Sequence, residues 1–144
     1  MQEVLNLNFH FKNGGDGNDD IIVDNNTRIH YRPFLNSNGK ILYDIGLICK
    51  IVNPFNNKFN IFIISGIRTY GVLGAAKCFT DNEKSGKNIS FCFEKFGESS
   101  FSLLFKVPII NTTAICPDLS IEDNILAYYP IENFSMKKEE YLYV

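Results

Sequence analysis

The sequence predicts one α+β domain: a twisted, mainly antiparallel sheet of five to seven strands with one principal helix packed on one face. Three observations point there. The chain has 144 residues, a length suited to a single core that removes roughly 70% of the unfolded surface from water. Its 18 Ile, 13 Phe and 7 Tyr stand against only 4 Ala and no Trp, so strand formers outnumber the best helix former. The apolar residues come in short runs or strict alternation, separated by turns rich in Asn and Gly.

Leu5, Leu7, Phe9 and Phe11 alternate with Asn6, Asn8, His10 and Lys12, the period of a half-buried strand. Asn13 to Asp20 is a glycine- and acid-rich turn, Ile21 to Val23 a short apolar run, and Asp24 to Thr27 a second turn. Arg28 to Phe34 alternates again, with Pro33 arguing against a central strand position. Beyond the Asn36 to Gly39 loop, Ile41 to Val52 is a long extended run. Asn53 to Lys58 turns the chain and Phe59 to Ile64 is nearly all apolar, which predicts an antiparallel pair. Val72, Ala75, Ala76 and Phe79 fall at helical spacing and include half of the alanines. They define the principal helix, which ends within Asp81 to Gly86.

Ile89, Phe91 and Phe93 alternate with Ser90, Cys92 and Glu94 and read as a strand, as does Phe101 to Val107. A short segment from Ala114 to Cys116 is placed to pair back. Ser120 with Asp123 resembles a capping box and predicts one or two helical turns between Ile121 and Tyr128. Residues 135–144 are expected to form a flexible tail, within which Tyr141 to Val144 is either an edge strand or free. The domain spans 1–144. With one helix on one face, the other face stays apolar, which predicts a homo-oligomer.

Fourteen basic against sixteen acidic residues leave a net charge of −2, with no clustered positive footprint for a nucleic acid. The longest apolar stretches are far short of the ~20 residues that cross a bilayer, so no membrane partner is expected. Cys49, Cys78, Cys92 and Cys116 form no C-x-x-C pair, which argues against zinc-ribbon and thioredoxin-type sites. Each lies in or beside an apolar segment, as expected of reduced buried thiols. A cytoplasmic protein is expected, or one of the host cytoplasm if the gene is viral.

The candidate site is the join between the Phe59 to Ile64 strand and the principal helix, S-G-I-R-T-Y-G: Ser65, Gly66, Arg68, Thr69, Tyr70 and Gly71. Glycines bracket the turn, the helix start presents unpaired N–H groups, and Arg68 adds a fork of donors; these are the parts of an anion cradle. Gly66 and Gly71 match the glycine spacing of a phosphate loop, but Val72 and Leu73 stand where it needs Lys and Ser/Thr. The plainer reading has the glycines only turn the chain and Arg68 pair with a surface carboxylate. Asp44 interrupts an apolar run; it faces solvent, or is buried with a partner such as Arg68. Asp16, Asn18 and Asp20 open like a calcium loop but lack its glycine and closing Glu. His10 and His30 lie on polar strand faces with no nucleophile motif beside them.

Asp44 to Asn56 (D-I-G-L-I-C-K-I-V-N-P-F-N) and Ile63 to Ala76 (I-I-S-G-I-R-T-Y-G-V-L-G-A-A) resemble the later part of a bacterial α/β domain family of uncharacterised activity. Its pattern runs D-x-G-L-I, N-P-[FW]-N, an apolar strand with a glycine, then a [YF]-G helix start. Phe101 to Asn111 is similar to its closing strand, so the resemblance covers about half the chain. It implies organisation more than reaction, and it places Asp44, Asn53, Pro54, Gly66, Tyr70 and Gly71 at pattern positions.

The leading expectation is a non-catalytic binding domain for a small anionic or nucleotide-like ligand, without a cofactor, held by Ser65 to Gly71 with Asp44 and Asn53. A sequestering or regulatory role would suit it. The alternatives are an enzyme acting on a nucleotide or glycoside with Asp44 as base, and a structural or protein-interaction module in which the turn is filled.

Overall fold

The computed structural model describes residues 8–53 and 55–131. Two antiparallel sheets and a helical pair stack in three layers. The small sheet joins β1 (Phe9–Lys12), β2 (Ile21–Asp24) and β3 (His30–Tyr31) in that order. The main sheet holds β4 (Phe34–Leu35), β5 (Ile41–Val52), β6 (Asn60–Gly66), β7 (Ser100–Ile110), β8 (Thr113–Ala114) and β9 (Ile125–Ile131). Helices α1 (Thr69–Thr80) and α2 (Ser85–Phe96) are of equal length.

The centre is β5, paired antiparallel with β6 through Gly46↔Gly66 to Val52↔Asn60 and with β7 through Tyr43↔Pro108 to Lys50↔Phe101. The expected hairpin and the expected Phe101 strand therefore form the heart of the sheet, and β9 extends it beyond β7. Alternation along β5 splits its side chains between two cores. Ile48 joins Ala75, Cys78, Phe101, Leu103 and Phe105 beneath the helices, whereas Ile45, Leu47 and Cys49 join Phe9, Ile22 and Leu104 beneath the small sheet.

That second core corrects one expectation. The face expected to stay bare is covered by β1–β3, tied down by Tyr129 donating to Asp24 and by Asn8 Nδ2 donating to Ser102 Oγ, so the reason given for self-association is gone. A second correction is α2, where a strand was expected over Ile89 to Phe93. Its buried residues are Asn88, Cys92 and Phe96, spaced by four; the apparent alternation is too short to outvote that face. Asp81 Oδ1 accepts from the N–H groups of Glu83 and Lys84 at its start, and Gly97 stops it at φ 59°.

The principal helix is present but begins three residues early, and it buries Gly71, Gly74, Ala75 and Cys78 while Val72 is exposed. The helical turns expected between Ile121 and Tyr128 reduce to one 3-10 turn, Glu122–Asn124, followed by β9. Ser120 bonds Asp118 instead of forming the capping box. All four cysteines are free and buried. No helix among the described residues is long and apolar enough to cross a membrane. The expected segment 135–144 and the first residues of the N-terminal strand lie outside the described residues.

Candidate functional site

The turn from β6 to α1 does hold an anion, and it is the chain's own. Asp44 is fully buried on β5. Its Oδ2 accepts from the backbone N–H of Gly71 at 2.6 Å and of Arg68 at 2.9 Å, and its Oδ1 from that of Ile45 at 2.8 Å. The neighbouring strand thus caps the helix, whose own N-cap residue Arg68 makes no side-chain cap bond. Burial pushes the Asp44 carboxyl above the usual carboxylate range, against the pull of its N–H donors and of the Arg68 charge.

The glycines serve this closeness. A Cβ on Gly71 would lie 2.1 Å from the Ile45 carbonyl oxygen, and one on Gly66 would lie 2.5 Å from the Val72 nitrogen. Backbone cannot yield at such distances. The Arg68 fork turns away from Asp44 to Asp19, with Nε donating to Oδ1 at 2.8 Å and Nη2 to Oδ2 at 2.6 Å. Ser65 and Gly66 belong to β6, opposite Leu47 and Gly46. Thr69 is exposed in the first turn of α1, and Tyr70 packs on the helix-side core.

Asn53 is not brought to this place. It organises the far end of the hairpin, where its N–H donates to Phe59 and its Oδ1 accepts from the N–H of Phe55. Nine residues of extended strand put it about 30 Å from Asp44. The glycine-flanked turn therefore anchors a helix, with Asp44 engaging the N–H groups of Arg68 and Gly71 and Asp19 engaging two guanidinium nitrogens of Arg68.

Two cavities lie elsewhere. One of about 610 Å³ runs along β9 between the β2–β3 side and α2. Its floor carboxylate, Asp24, already accepts from the N–H groups of Asn26 and Thr27 and from Tyr129. Burial would raise Asp24, but these bonds outweigh it and hold the carboxyl below its ordinary value. Burial and the bond to Asp24 push Tyr129 up to about 12. This pair reads as a clamp between the sheets.

The other cavity, about 460 Å³, opens between the helices and the main sheet. Its floor is one cross-strand row, Phe62 of β6, Lys50 of β5 and Phe101 of β7. Phe79 of α1 and Ile89, Cys92 and Phe93 of α2 form its walls. Lys50 is only 9% exposed, yet it pairs with no described carboxylate. Among the described residues its Nζ makes one long contact, 3.4 Å to the Glu98 carbonyl oxygen. A buried ammonium without a counter-charge is costly. Sequence reasoning missed this residue although the signal was visible, since Lys50 breaks the same apolar run that drew notice to Asp44.

Comparison of the chain with family models, with curated proteins and with solved structures finds no match.

Proposed function

We propose that the protein is a non-catalytic binding domain for a small anionic ligand, with Lys50 rather than the Ser65 to Gly71 turn meeting the ligand's charge. The observation that supports this reading is the buried Lys50, without a carboxylate partner among the described residues, at the floor of an otherwise apolar groove. A natural protein tolerates such a group where function uses it, because an apolar residue there would be the more stable choice. At the turn, Asp44 takes the N–H groups of Arg68 and Gly71, and Asp19 takes Nε and Nη2 of the Arg68 fork, which weakens the case for an outside anion there.

The non-catalytic part of the reading is supported by the state of the buried acids: Asp24 and Asp44 are each engaged by three donors. Neither offers the free oxygen of a general base. Thermal stabilisation by benzoate, AMP and decanoate tests the assignment. Stabilisation by at least one of them, lost in Lys50→Met and kept in Arg68→Ala, is expected. If Arg68→Ala abolishes the effect while Lys50→Met keeps it, the anion belongs at the turn and the assignment fails.

A further inference from the structure

We infer that the anion taken by the Lys50 groove is an amphiphile, a single carboxylate head on an unbranched apolar tail. This rests on the reading above, that Lys50 meets the ligand's charge, and adds the chemistry of everything attached to that charge.

The head is bounded by what the groove offers. One ammonium lies on the floor, with one of its protons directed at the Glu98 carbonyl oxygen. Phosphate sites ordinarily converge several donors, backbone N–H groups or an Arg fork, on a group of about two negative charges. A lone ammonium matches a monoanion. Lys50 leaves β5 between Phe62 and Phe101 of its own row, and all three line the groove, so a head at Nζ would meet the ammonium beside apolar rings, where the attraction acts in a drier setting than at the open surface.

The tail is bounded by the walls. Phe79, Ile89 and Phe93 supply no hydrogen-bonding atom in their side chains, and sugar hydroxyls laid against them would lose water without replacement. An alkyl chain loses nothing there. Ile89 and Phe93 stand one turn apart on α2 and are 51% and 64% exposed, and Phe62 faces them from the sheet at 49%. Both layers therefore present open apolar surface to a shared channel, and its volume lies within the range of small-molecule sites. Exposed apolar groups converging on a buried cation are what a fatty-acid-like ligand would complete.

Isothermal titration of the full chain with acetate, hexanoate, octanoate, decanoate, decanol and AMP tests the inference, using wild type, Lys50→Met and Phe93→Ala. Acetate and AMP are expected not to bind. Each added methylene from hexanoate to decanoate should tighten Kd by roughly two- to fourfold, the range for partial to full burial of a CH2. Lys50→Met should weaken decanoate at least tenfold and leave decanol unchanged. Phe93→Ala should weaken both. Binding of AMP but not decanoate, dependent on Lys50, overturns the amphiphile while the small-anion reading stands. Binding of none, or decanoate binding equal in wild type and Lys50→Met, overturns both.

Discussion

Replacing Asp44 by Asn keeps the shape of the side chain and removes one acceptor, which isolates the capping of α1 by β5. In the native site three N–H groups converge on two oxygens, two from the helix start on Oδ2 and that of Ile45 on Oδ1. The amide has a single oxygen. Turned toward the helix, it still serves Arg68 and Gly71 but sets its NH2 against the Ile45 N–H; turned the other way, it opposes both helix donors. The better orientation orphans one buried donor, about 1–3 kcal/mol, and weakens two charge-assisted bonds to ordinary ones, about 0.5–1 kcal/mol each. Relief of carboxylate burial, which raises the Asp44 pKa, offsets part of this. A net loss of about 2 kcal/mol follows for Asp44→Asn, and about 3–5 kcal/mol for Asp44→Ala, which orphans the N–H groups of Ile45 and Arg68 and leaves that of Gly71 only the Arg68 carbonyl at 3.1 Å. With 7 Tyr and no Trp, urea unfolding followed by tyrosine fluorescence and far-UV circular dichroism measures both. If Asp44→Ala stays within 0.5 kcal/mol of wild type, a limit on the order of that for an inert surface change, the capping argument is refuted.

Gly74→Ala should destabilise by about 1–3 kcal/mol despite the better helix propensity of Ala, because its Cβ would meet Val107 Cγ1 at 2.2 Å. Adding Val107→Ala should recover part of the loss, and an additive double-mutant cycle would contradict the clash. Tyr129→Phe should cost about 1–2 kcal/mol at pH 7. Asp24 is held below its ordinary value, so the stability it lends is present at neutral pH and disappears as pH falls through the carboxylate range; the two proteins should converge in acid unfolding curves. Arg68→Ala breaks a partly exposed pair and should cost no more than about 1 kcal/mol, less at high salt. Lys50→Met should leave the unliganded protein as stable as wild type or more so, since it replaces by an apolar chain a buried residue whose charge has no carboxylate partner among the described residues; a clear drop in melting temperature would mean that Lys50 is structural.

The hairpin of β5 and β6 was legible because each strand is a sustained apolar run and the turn between them is crowded with Asn. The start of α1 was legible as an anion site because glycines and an open helix end do define one. The identity of the anion was hidden, for the carboxylate lies 24 residues upstream of Arg68 and 27 upstream of Gly71, and only strand pairing brings it there. Asp19 meets Arg68 across a separation of 49, equally beyond local pattern. Helix α2 was lost because one of its three buried positions is Asn88, whose amide serves the Cys78 and Pro117 carbonyls and the Leu119 N–H. A hydrophobicity pattern scores that residue as surface. The same blindness to partnering made Asp44 conspicuous and Lys50 not, although each breaks the same run.

Asp44, Gly46, Ile48 and Lys50 share the helix-facing side of β5, by the two-residue period of the strand. Asp44 meets the first turn of α1, and Lys50 shares a groove with Phe79 in its last turn. The strand therefore sets a negative charge at the positive end of α1, in the order the macrodipole favours, and sends the Lys50 ammonium to the Glu98 carbonyl oxygen just past the end of α2. An anion arriving at Lys50 would compete with the Glu98 carbonyl oxygen for that ammonium. Occupancy of the groove and loosening of the turn that follows α2 are then two sides of one equilibrium, and amide exchange at Gly97 and Ser99 becomes a ligand-sensitive reporter on a protein that lacks tryptophan.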